Sequence, residues 1–185
     1  SNIGPWQGRK LQDLPYSIQV YSQDLIKNVQ ANSSTDEIYR MNPLMQLHTP
    51  QYANDQPMVF LRGFRVATSF RDGLLGDQFG HGTTIEDTEK VEFFNGLSGF
   101  LYGPANVGGL TNFISKRSTI EPLNEITLGS TGGKNWYIGG DFSGKFDEEN
   151  KFGYRLNALK QDGETQIKNQ NIDKKFISLA LDWQP

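Results

Sequence analysis

The chain has 185 residues, with 18 Lys+Arg against 21 Asp+Glu for a formal charge of −3, no cysteine, 20 glycines and 8 prolines. This length buries a core in one or two domains, and 36% hydrophobic with 21% charged residues marks a globular chain rather than a disordered one. The composition excludes disulfides, thiolate metal sites and a cysteine nucleophile; the charge leaves no footprint for nucleic acid; and no apolar run nears the roughly 20 residues of a membrane-spanning helix, which leaves membrane β-strands open.

No signal peptide opens the chain, as expected of a mature protein or an excised piece. Ile18 and Val20 alternate with polar neighbours over residues 17–21, which predicts a strand. Ser22 then caps a short helix holding Leu25, Ile26 and Val29, with Asp24 in its first turn. Residues 33–41 predict a second helix, with Ile38 and Met41 three apart, ended by Asn42-Pro43. Further strands are predicted at 58–61, 92–94 and 110–115, separated by Gly-rich loops. The mixture is α+β.

Near residue 123 the chain changes to almost pure alternation. Ile126 and Leu128 share a face. Trp136, Ile138, Phe142 and Phe146 oppose Tyr137, Asp141, Ser143 and Lys145. Phe152, Tyr154, Leu156 and Ala158 alternate with Arg155 and Asn157, and Ile177, Leu179, Leu181 and Trp183 with Ser178, Ala180 and Asp182. These predict four antiparallel strands, joined by a tight turn at 147–150 and a longer hydrophilic loop at 163–172. Outer-membrane barrels pair short turns with longer loops in this way, although a half-buried soluble sheet alternates as well.

Residues 91–117 run through Val91-Glu92-Phe93-Phe94-Asn95-Gly96-Leu97, Leu101-Tyr102-Gly103 and Val107-Gly108-Gly109-Leu110-Thr111-Asn112 to Ser115-Lys116-Arg117. This stretch resembles the plug-domain signature of TonB-dependent outer-membrane receptors. Leu14-Pro15-Tyr16-Ser17-Ile18-Gln19-Val20, Leu61-Arg62-Gly63-Phe64 and Arg71-Asp72-Gly73-Leu74 match upstream, in the family's order. Downstream, Gly153-Tyr154-Arg155-Leu156-Asn157 and Leu181-Asp182-Trp183-Gln184-Pro185 are similar to the siderophore-receptor branch, most of all to ferric-hydroxamate (ferrichrome-type) receptors. The resemblance implies an α+β plug domain over 1–123, a small mixed sheet with short helices, and then the first four strands of an outer-membrane β-barrel over 124–185. Barrels of this kind close at about 22 strands, so four strands are a piece of one. Asn95-Gly96-Leu97 departs from the family's Arg-Gly-Pro and lacks an arginine that pairs with barrel carboxylates.

The implied function is import of a ferric siderophore across the outer membrane of a Gram-negative bacterium, with no catalysis and no resident cofactor. The implied partners are the siderophore, the rest of the barrel, and TonB, gripping a box expected upstream of Ser1. The family's ligand-facing loops correspond to residues 66–70, 75–82 and the surroundings of Tyr102-Gly103. An arginine fork and a phenol can donate to chelate oxygens, which makes Arg62 and Tyr102 the leading ligand-binding residues, followed by Asp77, Gln78 and Phe79. Plainer roles are a barrel ion pair for Arg62 and packing for Tyr102 and Phe79. Gly108-Gly109 reads as a turn requirement, and Glu86, Asp87, Glu89 and Glu92 as a solvated or barrel-facing surface. His48 and His81 lack the spacing of a metal site.

Other cargoes for the same class are a catecholate siderophore, haem, cobalamin or a glycan. A soluble β-rich ligand-binding module is the alternative outside it. No nucleophile elbow or dinucleotide fingerprint points to an enzyme. Outside a membrane, an apolar face carrying Trp136, Ile138, Phe142, Leu179 and Leu181 favours self-association.

Overall fold

The computed structural model describes residues 8, 10–14, 16–29, 34–50, 57–66, 69–76, 83–96, 102–103, 106–147 and 149–183. They fall into two compact units, Ser1–Ser115 and Lys116–Pro185.

The first unit begins with β1 (Ser17–Ser22) and α1 (Gln23–Asn28), where Ser22 is the N-cap and its Oγ accepts from the Leu25 N–H at 3.4 Å. Helix α2 (Asp36–Met41) starts three residues later than its pattern predicts and ends at Asn42, whose Oδ1 accepts from the Leu44 N–H at 3.0 Å. Strands β2 (Met45–Thr49), β3 (Met58–Leu61) and β4 (Phe64–Val66) form an antiparallel sheet. The short β5 (Phe70–Arg71) and β6 (Leu74–Leu75) join β7 (Thr88–Asn95) and β8 (Gly109–Ser115) in a mixed sheet of order β1-β7-β8-β5-β6, in which β5 and β8 run parallel.

Strands β7 and β8 are the spine of this unit, because successive side chains leave opposite faces and both faces are buried. Val91, Phe93 and Phe113 pack with Ile26, Ile38, Tyr39, Met45, Val59 and Leu61. Phe94 and Leu110 pack on the other side with Leu14, Ile18 and Phe70. Each such side chain contributes about 1.5–3 kcal/mol on burial. The acidic run divides, where a solvated or barrel-facing surface was expected. Glu89 is exposed, but Glu92 is fully buried, accepts from Asn112 Nδ2 at 3.2 Å and pairs with Lys90 at 2.8 Å. Asp87 is committed to Arg71 at 3.2 Å. Neighbouring amide and cationic groups, out of view in a linear reading, take these carboxylates inward.

The second unit is an antiparallel meander of β9 (Leu123–Gly129), β10 (Lys134–Lys145), β11 (Phe152–Glu164) and β12 (Asn171–Trp183), side by side in the order β12-β11-β10-β9. Its burial is inverted relative to a sheet in water. Ile126, Leu128, Trp136, Ile177, Leu179 and Leu181 are exposed, while Asp141, Ser143, Arg155, Asn157 and Gln161 are buried. The three longer strands, of 12, 13 and 13 residues, exceed the roughly 9–11 that a tilted strand needs to cross hydrocarbon. Aromatic residues stand at both ends of the apolar band. Trp183 stacks on Phe152 (6.2 Å, 12°) and Phe146 lies 4.9 Å from Tyr154 beside the tight turn, with Trp136 at the far end. Beyond the band the same face carries Lys160, Asp162, Asp173 and Lys175, in register and linked by ion pairs.

The Gly108-Gly109 pair is required by close approach. A Cβ on Gly108 would meet the Leu61 carbonyl oxygen at 2.1 Å, and one on Gly109, at φ +135°, the Phe94 oxygen at 2.1 Å. Backbone on both sides leaves nothing to yield. Gly108→Ala and Gly109→Ala should each cost about 2 kcal/mol or more in urea unfolding of the chain. Gly63→Ala, at φ +83° with nothing within 4 Å, should cost only about 1 kcal/mol of backbone strain. Equal losses at all three positions would remove the close-approach argument.

Candidate functional site

Arg62 and Gly63 are the two residues of the β3–β4 turn. Leu61 pairs with Phe64, and the φ angles of +54° and +83° are those of a two-residue hairpin of the I′ kind. The Arg62 N–H donates to the Leu44 carbonyl at 2.9 Å, and its exposed side chain extends to the next turn, where a Cβ on Gly96 would sit 3.1 Å from Nη1. Gly96 N–H donates to the Gly108 carbonyl at 2.9 Å, closing the Asn95–Gly109 end of the β7–β8 pair. One end of the unit therefore gathers Leu44, Arg62, Phe64, Gly96, Val107 and Gly108.

Tyr102 is placed differently. Its ring is half-buried, 5.5 Å from Phe70 and 5.6 Å from Phe94 between centroids, and a Cβ on Gly73 would lie 3.2 Å from its edge. Gly73 belongs to the turn whose Asp72 accepts from Ser115 N–H at 2.8 Å and from its hydroxyl at 2.7 Å, at the other end of β8 from Arg62. Tyr102 packs on the side of the sheet that carries Phe70, Phe94 and Leu110, whereas the Arg62 side chain borders Gly96. Burial, with the Glu92 carboxylate adding to it, pushes the Tyr102 phenol up to about 12. It is a neutral hydroxyl at physiological pH. Asp77, Gln78, Phe79 and His81 lie outside the described residues. His48 faces its neighbour Thr49 at 3.2 Å and the Phe60 ring at 6.2 Å. Among the described residues no group of three or more metal-ligating acids or histidines comes together.

A second arrangement escapes a reading by motif. On the polar face of the meander, Asp141 accepts from Arg155 Nε at 2.6 Å and Nη2 at 2.8 Å, and from Lys116 Nζ at 2.8 Å. Lys116 also reaches Asn157 Oδ1 at 3.0 Å, Ser118 N–H donates to Asp182 at 2.8 Å, and Thr119 N–H to Ser143 Oγ at 2.9 Å. Residues 116–119 are thereby fastened across β10, β11 and β12. The available signal was an acid and a base on the polar side of two adjacent alternating strands; the register that pairs them is tertiary.

Residues 10–110 match the family model described as TonB-dependent Receptor Plug Domain. The chain is 28% identical over 182 residues to the ferrichrome outer membrane transporter/phage receptor of Escherichia coli (strain K12), covering 95% of this chain and 24% of that protein. It is likewise 28% identical over 181 residues to the ferrichrome receptor FcuA of Yersinia enterocolitica, covering 93% and 23%. Among solved structures it superposes on BauA, the ferric preacinetobactin receptor of Acinetobacter baumannii, with a TM-score of 0.87 at 26% identity, over 96% of this chain and 27% of that one. The chain spans about a quarter of the length of these proteins.

Two outcomes test the site. Alkaline absorbance titration should find Tyr39 and Tyr102 ionising near 12, above the ordinary 10, with Tyr102→Phe removing one of the late groups. A phenol raised in the folded state contributes stability in full below about 10, lost as pH climbs through 12; all tyrosines titrating together near 10 would contradict the packing. Asp141→Ala leaves two buried cations facing each other and should cost about 3–5 kcal/mol in guanidinium unfolding in detergent, partly restored by Arg155→Met. A loss within about 0.5 kcal/mol would dismiss the network as an anchor.

Proposed function

The chain belongs to the family of TonB-dependent receptor plug domains, and we propose that it carries the plug and first four barrel strands, 124–185, of an outer-membrane receptor importing ferric siderophores of the hydroxamate type. The observation that carries this reading is the inverted meander, apolar outside and polar inside, following directly on a plug fold. Such a sheet is stable with lipid on one side and a polar lumen on the other. Both relatives are named for ferrichrome, a ferric hydroxamate, which supports the cargo class. Outside a bilayer the apolar face would drive self-association.

The chemistry is capture and release. The outer membrane offers no nucleotide and no sustained ion gradient, so a scarce ligand is held tightly outside and freed by work done from the periplasm, here by TonB acting on a segment N-terminal to the plug. The plug seals the route until it rearranges. Iron arrives already chelated, so the protein supplies no ligands to the metal; it supplies donors to the chelate's outer oxygens. Arg62, exposed at a hairpin tip and always charged, is suited to that task. Tyr102 takes a share by holding the loop it sits in against Phe70 and Phe94, with contact through its hydroxyl as a second role.

The test is a titration of the complete receptor with ferrichrome and with a ferric tris-catecholate, followed by tryptophan fluorescence. Tight ferrichrome binding, weakened about tenfold or more by Arg62→Ala, is the expected result. A response to the catecholate alone keeps the receptor class and overturns the cargo. Silence towards both overturns the siderophore assignment.

A further inference from the structure

We propose that Asn95-Gly96 is a modification site that acts as a chemical latch on the first unit. Its side-chain amide hydrolyses to a carboxylate only while the Asn95–Gly109 end of the β7–β8 ladder is open, and the carboxylate then hinders that end from closing. Asn95 is the one asparagine of the chain that is followed by glycine. With no side chain on the Gly96 Cα, the Gly96 nitrogen can approach the preceding side chain without steric hindrance. The step is an intramolecular substitution with water as its only co-reactant. The Gly96 nitrogen gives its proton to water and bonds to Asn95 Cγ, the Cγ–Nδ2 bond breaks, and ammonia leaves with a proton returned by solvent. Water then opens the five-membered imide at either carbonyl, leaving aspartate or its isomer, in which the backbone runs through Cγ.

The folded chain withholds each participant. Gly96 N–H donates to the Gly108 carbonyl at 2.9 Å, so the attacking nitrogen is engaged. Asn95 Nδ2 donates to Ser17 Oγ at 3.2 Å, which ties the amide to β1. The Asn95 backbone is paired on both sides, with Ser17 in β1 and with Gly109 in β8. Both pairs are the last of their ladders, so a local opening frees Asn95 and Gly96 without disturbing the buried Val91, Phe93 and Phe113. The effect of the product is local as well. Asn95 Oδ1 is buried and accepts no hydrogen bond among the described residues. An ionised oxygen in that place is a buried charge without a donor, which costs far more than a neutral carbonyl there. The isomer lengthens the backbone by one atom and takes the row Ser17, Asn95 and Gly109 out of register. Either product holds open an end that the amide allows to close.

The complete receptor, incubated in detergent in mildly alkaline buffer, is compared with a free peptide of residues 91–101. Peptide mapping by mass spectrometry follows asparagine, aspartate and isoaspartate at position 95. The folded receptor should convert about tenfold or more slowly than the peptide. Gly108→Ala, whose Cβ would meet the Leu61 carbonyl oxygen at 2.1 Å and displace the acceptor of Gly96, should raise the folded-state rate about tenfold. Urea below the unfolding transition should accelerate wild type in the same direction, so this arm decides the matter if Gly108→Ala does not fold. Asn95→Asp should speed amide hydrogen exchange at Gly96 and Gly109 about tenfold, with Val91 and Phe113 unchanged. Thermal melting identifies the variants that are folded. Equal rates in receptor and peptide overturn the proposal, as does a folded Gly108→Ala receptor that converts no faster than wild type. An Asn95→Asp receptor with wild-type exchange at Gly96 and Gly109 overturns the latch.

Discussion

The second unit depends on one carboxylate. Asp141 accepts from both nitrogens of the Arg155 fork and from Lys116, all within 2.8 Å, on a face where each of these side chains is nearly shielded from water. One anion between two cations leaves a positive residue, which the Asn157 carbonyl oxygen shares through Lys116 and the Arg117 carbonyl through Arg155, at 3.4 Å. With these contacts made, the polar face of the sheet is its inner face by energy as well as by pattern. The apolar face then has only hydrocarbon as a compatible neighbour. Strand pairing satisfies the backbone, so nothing polar within the apolar band demands water, while Lys160, Asp162, Asp173 and Lys175 form the charged end of the same face.

The first unit is held by a different kind of interaction. Its spine strands carry aromatic rings on both faces, and the two turns at the Arg62 end approach until backbone touches backbone at Gly108 and Gly109. Shape, rather than charge, positions Arg62: a left-handed turn fixes its backbone, and a missing Cβ at Gly96 makes room for its guanidinium. Charge pairs in this unit sit elsewhere, as in Arg71, which donates to Asp87, Ser115 and Thr84 and straps the β5–β6 turn to the end of β8.

Much of this was legible in the sequence, and the limits are instructive. Strands β9 and β10 could be read almost to their ends, because lipid-type alternation continues along them. Strand β12 could be read only from Ile177, six residues late, and β11 only to Ala158. Lys160, Asp162, Asp173 and Lys175 lie on the apolar side beyond the band, so the period of two disappears while the pairing continues. Strand β2 was missed although Met45 and Leu47 alternate with Gln46 and His48, because the run is only five residues long; its pairing with β3 decides the matter. The end of β3 at Arg62-Gly63 was legible, because a glycine follows the apolar run of 58–61. The Tyr102 surroundings were not, since Gly73, Phe70 and Phe94 come together only in the folded sheet. Lys116, Asp141 and Arg155 are ordinary charges until the register aligns them.

Charge is distributed unevenly along the chain. Around the Arg62 turn the contacts are single hydrogen bonds and apolar packing, each of moderate strength. At residues 116–119 they are buried ion pairs and charge-assisted hydrogen bonds, which cost several kcal/mol to break singly. The uncharged stretch 93–115 ends where that charged segment begins, so the change from structure held by shape to structure held by charge falls at the boundary between the two units.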